Sequence, residues 1–428
     1  MRYYGYNSFI GLEEISMKKR MNVFILLVLI ILILAIFYNI NKNINADSKI
    51  PLAASKEYIS LLSKFPKEKQ GNSLEPALKP EGPSEQPMTY GLVLSSESLH
   101  YKAAPNKESS ERIKNATRWI IDNSDLNKDG NPGWGLPQSW DAFADGTINS
   151  ENHPYTITTA IVLQGLLDAL SIEDFWTEVE EKEIKDLIAD VILYWLKNVY
   201  IGDENIGYLG YSQEPTDMVY TPNVSGMFLS SMVRALTDCE DIFNYTEKQF
   251  VTQHAHAIAN KLVKTAKLEN GMPYWDCVYY PTKVGNGNTR PNDLVHHIYI
   301  LWGIEEYRAH FDKINIPFNL NQSIASVDSF WRENKIYSYP QNVVLAGNQE
   351  HLKDRPANLW GVGMMLAFYA KYGEVEKANS TLKAIDKFYG PLPKLTMWPL
   401  DFSKNDNFYE RYAAHVLFGL SYKEFYKN

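Results

Sequence analysis

The chain has 428 residues and a formal net charge of −9, and 45% of its residues are hydrophobic and 13% aromatic. This length suits one large domain or two ordinary ones with a sizeable core. The acidic balance, without clustered Lys and Arg, argues against nucleic acid but leaves room for an anionic sugar. The two cysteines, Cys239 and Cys277, lack zinc-ligand spacing, and the sequence leaves open whether they pair.

The N-terminal region has membrane-spanning character. Residues 23–37 are an unbroken apolar run inside a mostly apolar span, 21–40, and Lys18, Lys19 and Arg20 precede it. About twenty helical residues cross a hydrocarbon core of roughly 30 Å. The basic flank predicts that residues 1–20 stay in the cytoplasm, with the body of the chain anchored outside it, periplasmic or extracellular.

A cleaved signal peptide is the alternative for this segment. It would begin at Met17 and end at Ala46, and it would also export the body of the chain. Residues 41–106 that follow are rich in Lys, Ser, Pro, Glu and Asn and are predicted to be a flexible linker. We expect a folded domain over residues 107–428.

Four prolines recur at nearly even intervals in this domain. They are Pro154, Pro222, Pro291 and Pro356, separated by 68, 69 and 65 residues. Each precedes an apolar run, and proline suits the first position of a helix because that N–H has no intrahelical partner. The spacing therefore predicts a repeated helical unit.

Two kinds of helix alternate along the domain. Amphipathic helices, with mixed charge and apolar residues spaced near 3.6, are predicted at 111–123, 177–199, 247–268, 321–333 and 374–388. Helices that are apolar nearly all round, and therefore buried, are predicted at 157–170, 224–236, 294–304, 359–369 and 412–420. This alternation predicts an all-α fold, an α/α toroid (an incomplete barrel) of about five hairpins. An open α-solenoid is the alternative, but solenoid repeats are usually shorter.

The loops before the inner helices are rich in aromatic residues. Since all inner helices begin at one end, these side chains should meet at one mouth, where aromatic faces suit sugar rings. The alternative is that they plug the barrel. The predicted sugar-binding aromatics include Trp134, Trp140, Tyr211, Trp275 and Trp398.

Arginine and histidine also gather at the starts of the inner helices. Arg290, Arg355 and Arg411 precede or open the last three, where helix N-termini already favour anions. Arginine binds carboxylates through its planar fork, so an acidic sugar such as a uronate is predicted as substrate; pairing with loop carboxylates is the alternative. The histidines are His153, His296, His297 and His415, and Asp293 could orient one ring of the adjacent pair.

One loop resembles the first half of a calcium-binding loop. Asp125, Asn127 and Asp129 place oxygen ligands at alternate positions, followed by Gly130. Position twelve is Leu136 rather than Glu, so the loop is either a structural calcium site with a distant ligand or an Asx-rich turn. No other cofactor is predicted.

The domain resembles carbohydrate-active α/α toroids, most nearly the C-terminal domain of glucuronyl C5-epimerases. The segment 226–235, GMFLSSMVRA, is similar to that family's glycine-initiated inner helix, and 409–415, YERYAAH, to its final inner helix. The acidic Trp-Asp-Tyr approach and the preceding β-rich domain of the family are missing here. The resemblance implies a glycan-processing enzyme that acts on an anionic polysaccharide or oligosaccharide, and the apolar run at 21–40 would anchor it to the membrane.

Removal of the C5 proton beside a uronate carboxylate is the chemistry that fits an acidic sugar. An arginine would neutralise the carboxylate, and a base and an acid would face opposite sides of the ring. The predicted catalytic residues are Tyr220, His297, Tyr409 and His415. Return of the proton on the other face gives an epimerase, and loss of the 4-substituent gives a lyase.

Two other functions remain open from the sequence. A glycoside hydrolase would need two facing carboxylates, for which the loops offer Asp141, Asp145, Glu214, Asp276 and Asp401. A non-catalytic glycan-binding or scaffold protein would keep the aromatic residues without paired titratable groups.

Overall fold

The computed structural model describes residues 54–74, 82–239, 241–278, 291–341, 352–403 and 407–426. These residues all belong to one unit of the chain, Ala53–Asn428. The predicted membrane span at 21–40 and the predicted ligand Arg290 lie outside the described residues. Within the described ranges, no helix combines the length and the apolar character needed to cross a membrane.

Helices dominate the described part of the chain, and the strands form short antiparallel hairpins. The helices are α1 (Lys56–Leu62), α2 (Pro87–Ala103), α3 (Lys107–Asp122), α4 (Thr156–Leu170), α5 (Glu178–Asn198), α6 (Pro222–Thr237), α7 (Tyr245–Thr265), α8 (Leu294–His310), α9 (Leu320–Asp328), α10 (Leu359–Lys371), α11 (Val375–Tyr389) and α12 (Glu410–Phe425). The hairpins pair β1 (Asn72–Ser73) with β2 (Ser84–Glu85), β3 (Tyr200–Gly202) with β4 (Gly207–Leu209), β5 (Lys267–Glu269) with β6 (Met272–Tyr274), and β7 (Trp331–Arg332) with β8 (Lys335–Ile336).

The even-numbered helices form an inner ring. Each packs on the next, from α2 through α4, α6, α8 and α10 to α12, and α12 packs back on α2. The odd-numbered helices lie outside this ring, each against an inner neighbour. The sequence explains the two layers: α3 buries only one stripe, whereas α4 is buried from Thr156 to Ala169 on every side. The predicted α/α toroid is therefore confirmed.

The N-terminal boundary of the toroid was predicted wrongly. The described part of the ring has six inner helices rather than five, because the inner helix α2 falls in the segment predicted to be a linker. The outer helix α1 falls in the same segment. The run Ser95–Ser98 makes α2 look exposed in sequence, yet these residues are buried. The Ser96 and Ser98 hydroxyls donate to the Leu92 and Leu94 carbonyls, both at 2.7 Å, so burial leaves these hydroxyls paired.

The recurring prolines mark the helix starts but do not generally open them. Only Pro222 occupies the first position of its helix. Pro154, Pro291 and Pro356 lie two or three residues earlier, in isolated bridges to Gly135, Asp276 and Tyr337. The repeat therefore ties each rim loop to the entry of its inner helix, and neighbouring side chains such as Asp293 and Asn358 cap α8 and α10.

Three pairs of glycines bring neighbouring inner helices into close contact. They lie on α2 and α4 (Gly91, Gly165), α6 and α8 (Gly226, Gly303), and α10 and α12 (Gly363, Gly419). A Cβ added at Gly303 would stand 1.9 Å from the Gly226 carbonyl oxygen. The inner ring is thus built from three tightly packed helix pairs.

Candidate functional site

The inner helices all begin at one end of the ring, because each outer helix leads through a rim loop into the next inner helix. The first two turns of α8, α10 and α12 bring together a hydrogen-bonded chain of side chains near this end. Trp360 Nε1 donates to the Tyr299 hydroxyl at 2.6 Å, and that hydroxyl lies 3.0 Å from His415 Nε2. His415 Nδ1 lies 2.8 Å from the Arg411 carbonyl oxygen.

The chain of hydrogen bonds fixes the tautomer of His415. A carbonyl can only accept, so Nδ1 carries the proton and Nε2 accepts from Tyr299. Burial lowers the pKa of His415 to about 3, and the ring is therefore neutral. His415, predicted to be catalytic, is fully buried beneath Tyr299 and Trp360. It can orient these two residues, but its own ring is closed to solvent.

The adjacent histidines point to different sides of α8. His296 Nδ1 lies 2.7 Å from an Asp293 carboxylate oxygen, and the two side chains are 31% and 30% exposed. Its ring centroid lies 6.3 Å from that of Trp360, which places it beside the chain described above. If Nδ1–H donates to Asp293, Nε2 is a proton acceptor at the mouth. His296 is therefore the histidine of the pair with the geometry of an acid or base.

His297, predicted to be catalytic, packs against the outer ring instead. Its Nε2 lies 2.9 Å from the Ser326 hydroxyl on α9, and its ring stacks on Tyr274 at 5.5 Å. Burial lowers its pKa to about 3. Consecutive helical residues point about 100° apart, so only one of the two histidines can reach the mouth.

Arg411 is a largely buried residue in the first turn of α12. The central carbon of its guanidinium is 5.1 Å from the Trp360 ring and 5.4 Å from the Tyr412 ring, within the range of cation–π contacts. Its charge also acts on Tyr211, which belongs to the loop before α6, on the other side of the ring. The predicted ligands Arg411 and Tyr211 therefore lie at the same end of the ring, at the entries of α12 and α6.

The loops before α4 and α6 form the opposite wall. Tyr211 packs against Tyr155 and Phe143, with ring centroids 5.4 Å apart in both pairs. Burial, and more weakly Asp217, raise the pKa of Tyr211 to about 12, so its hydroxyl is protonated near neutral pH. Trp140, also a predicted ligand, is 37% exposed at this rim. Tyr211 and Trp140 thus add aromatic rings to this rim, and sugar binding by them stays a prediction.

Other predicted residues belong to the core. Trp134 and Trp275 are buried, and their indole N–H groups donate to the carbonyls of Ile120 and Leu262 at 3.2 and 2.8 Å. They satisfy backbone oxygens in the last turns of outer helices rather than face a ligand. Tyr220, predicted to be catalytic, is also buried, with its hydroxyl 2.8 Å from Thr265 Oγ1 at the end of α7.

The remaining predicted residues lie along the rim before α10 and α12. The Arg355 guanidinium stands 4.7 Å from the Trp398 ring, so these two predicted ligands contact each other. Tyr409 caps the start of α12, and its largely buried ring lies 6.1 Å from that of Tyr412. Tyr409 therefore lies next to Tyr412, which also contacts Arg411. Arg355 and Trp398 form a separate pair.

The predicted calcium loop is held by its own backbone. The two Asp125 oxygens accept the N–H groups of Asp129 and Gly130 at 3.1 and 3.0 Å, and Asn127 donates to Asp129 at 2.8 Å. Among the described residues, no three His, Cys, Asp or Glu side chains are grouped to hold a metal. Calcium binding here stays a prediction, and the Asx turn accounts for the loop without an ion.

The carboxylates proposed for a hydrolase mostly have other partners. Asp141 and Asp145 accept backbone N–H groups of their own loop. Asp276 pairs with Lys267 at 2.6 Å, and Asp401 with Lys335 at 2.7 Å. Glu214 differs, because its charge acts on His153. Burial lowers the pKa of His153, and the negative charge of Glu214 partly offsets that effect. The two cysteines, Cys239 and Cys277, are not joined by a disulfide.

No family model and no curated protein sequence matches this chain. Solved structures do. A sugar epimerase from a ruminal bacterium has a TM-score of 0.58 and 12% identity, covering 86% of this chain and 96% of its own. An α-amylase from Clostridium perfringens has a TM-score of 0.54 and 14% identity, covering 86% and 97%. An unsaturated glucuronyl hydrolase specific for heparin has a TM-score of 0.52 and 11% identity, covering 86% and 95%. The predicted resemblance to carbohydrate-active α/α toroids is confirmed for the fold.

Proposed function

We propose that this protein is a glycan-processing enzyme that moves a proton at a sugar carbon, an epimerase or a lyase acting on a uronate-containing chain. The observation that carries the proposal is the Asp293–His296 pair beside Arg411 and Trp360. It combines an oriented, accessible imidazole, a guanidinium and aromatic surface at one mouth. These are the groups that proton removal next to a carboxylate requires.

Each residue of the mouth has a role in this proposal. Arg411 binds the uronate carboxylate and stabilises the enolate that forms when C5 loses its proton. His296 Nε2 removes that proton, and Asp293 stabilises the imidazolium. Tyr211, on the opposite wall with a raised pKa, supplies a proton to the other ring face. Proton return at C5 completes an epimerisation, and departure of the 4-substituent completes an elimination.

The experiment is to incubate the protein with polygalacturonate, alginate and heparosan in deuterated water. Deuterium at C5 without chain cleavage reports an epimerase, and absorbance of an unsaturated uronate reports a lyase. We expect His296→Asn to lower the rate by roughly 10²–10⁴-fold and His254→Asn, on outer helix α7, to leave it unchanged. New reducing ends without either signal would show a hydrolase and refute the proposal.

We also propose that the domain works outside the cytoplasm, tethered through residues 21–40. The apolar run and its basic flank support this proposal. Protease added to spheroplasts, from which any outer membrane barrier has been removed, should release the domain while a cytoplasmic marker stays protected. Full protection of the domain in spheroplasts, with digestion only after lysis, would contradict the proposal.

A further inference from the structure

A cavity lies on the rim, away from the cluster formed by Tyr299, Trp360 and Arg411. It has a volume of about 150 Å³ and lies between the loops that enter α10 and α12, against the end of outer helix α11. None of the residues in that cluster lines it. Its wall combines aromatic and charged side chains, which include Tyr337, Phe388, Phe402, Lys335, Asp354 and Asp401.

Phe402 presents apolar surface at this cavity. Its side chain is exposed, with the residue at 53% of its full accessibility, although phenylalanine is usually buried. Two hydrogen bonds hold the loop that carries it: Phe402 N–H donates to Pro399 O at 2.9 Å, and Leu400 N–H donates to Phe388 O at 2.8 Å. The exposed ring is therefore held in place by the fold rather than left on a loose tail.

The charged side chains of the cavity include both signs. Lys335 and Asp401 form an ion pair at 2.7 Å, with side chains 44% and 59% exposed, so each can still contact a ligand. Asp354 is 91% exposed and lies 3.6 Å from Arg332. Each carboxylate lies beside one cation, so these four groups have no net positive charge to attract an anionic ligand. Sugar hydroxyls, in contrast, can donate to the carboxylates and accept from Lys335.

We propose that this cavity binds one neutral hexose unit of a glycan. The volume admits about one small ring, Phe402 offers a stacking surface, and the ion pair offers both donor and acceptor groups. Trp398 extends the aromatic surface, since its ring lies 5.6 Å from Phe402 and 4.7 Å from the Arg355 guanidinium. The inference rests on the proposed function insofar as it takes a glycan as the ligand. It adds a holding site that is distinct from the reacting one.

The test is affinity electrophoresis of the full chain in gels that contain glucomannan, β-glucan or galactomannan, whose backbones are built from neutral hexoses. Leu400→Ala is the matched control for Phe402→Ala, because Leu400 is 51% exposed on the same loop but does not line the cavity. We expect at least one polysaccharide to retard the wild type. Phe402→Ala should weaken that binding about tenfold, and Leu400→Ala should not change it.

His296→Asn separates this proposal from the function proposed above. It should abolish turnover of the uronate polymers while keeping the retardation. Retardation that disappears in His296→Asn but survives in Phe402→Ala would place binding at the mouth and overturn the cavity proposal. Absence of retardation in all three gels would overturn it too. Normal turnover by His296→Asn would refute only the proposed mechanism.

Discussion

Buried histidines link the candidate site to the stability of the fold. His415 and His297 both have a pKa lowered from 6.5 to about 3 by burial. As the pH falls below 6.5, the two imidazoles become protonated in the unfolded chain but stay neutral in the folded chain. Their contribution to stability is complete above pH 6.5 and is lost as the pH falls towards 3.

We predict that His415→Gln makes the free energy of unfolding less dependent on pH between 4.5 and 6.5. The slope should fall by about 1.4 kcal/mol per pH unit, the value for one group. Denaturant unfolding at several pH values measures it. His310→Gln is the control: the hydrogen bond that His310 donates to the Glu306 carboxylate raises the pKa of His310, so this group changes the pH dependence of stability only above pH 6.5. An unchanged slope in His415→Gln would contradict the assignment.

At the same scale, the structure places some of the predicted site residues at the entries of the inner helices and others in the core. The sequence singled out Arg411, Tyr211 and Trp140, which the structure places at the mouth. It preferred His297 to His296, because the rotation of α8 about its axis depends on which neighbour it packs against. In the sequence, Trp134 and Trp275 look like the other tryptophans predicted to bind sugar. In the structure, their indole N–H groups donate to backbone carbonyls of outer helices.

Helix pairs are the unit from which the inner ring is built. Gly226 on α6 and Gly303 on α8 have no side chains, and the two backbones therefore approach so closely that a Cβ atom would not fit between them. Such contact leaves a larger residue nowhere to go, because the opposing atom belongs to the backbone. The pairing also sets where the first turn of α8, with Asp293 and His296, faces the mouth.

We predict that Gly303→Ala destabilises the protein by about 3 kcal/mol or more, since its Cβ would meet the Gly226 carbonyl. Gly361→Ala, also in an inner helix, should change stability by no more than about 1 kcal/mol. Its Cβ meets only Leu294 side-chain atoms at 3.3 Å, and alanine favours helix. Thermal and denaturant unfolding would measure both. Equal stability of the two variants would refute the close backbone contact.

Tyr299 and Trp360 show what sequence reasoning missed at this scale. Both lie in inner helices that were predicted correctly as buried, and so their polar groups drew no attention. A signal was available: Trp360 follows the N-cap Asn358 of α10 by two residues, at the end where the other candidates gather. Their hydrogen bond joins residues 61 apart in sequence, which only packing of the helices reveals.

At the scale of the whole molecule, ring closure depends on the segment that looked like a linker. Helix α2 packs between α4 and α12, and α1 packs on α12. Tyr58 on α1 donates to the buried Glu97 carboxylate on α2 at 2.6 Å. Without these helices, apolar faces of α4 and α12 would be open to water.

We therefore predict different outcomes for two truncations. A chain that begins at Ala53 should fold and unfold in one cooperative transition. A chain that begins at Lys107, the boundary predicted from sequence, should aggregate or lose cooperativity because it lacks α2. Circular dichroism and size-exclusion chromatography would distinguish them. A Lys107 chain as stable as the Ala53 chain would show that closure through α2 is dispensable.

The sequence alone determined the alternation of amphipathic and apolar helices, the repeat length and the end of the toroid where chemistry-bearing residues gather. These follow from local rules, because a helix without a polar face must be buried. Only the tertiary structure decided that the ring has a sixth inner helix and that His296 rather than His297 faces the mouth. It also decided that Trp360, Tyr299 and His415 form one hydrogen-bonded chain. These facts depend on contacts between segments that are distant in sequence. In the sequence alone, a buried serine or a tryptophan hydrogen-bonded inside the core cannot be told from an exposed one.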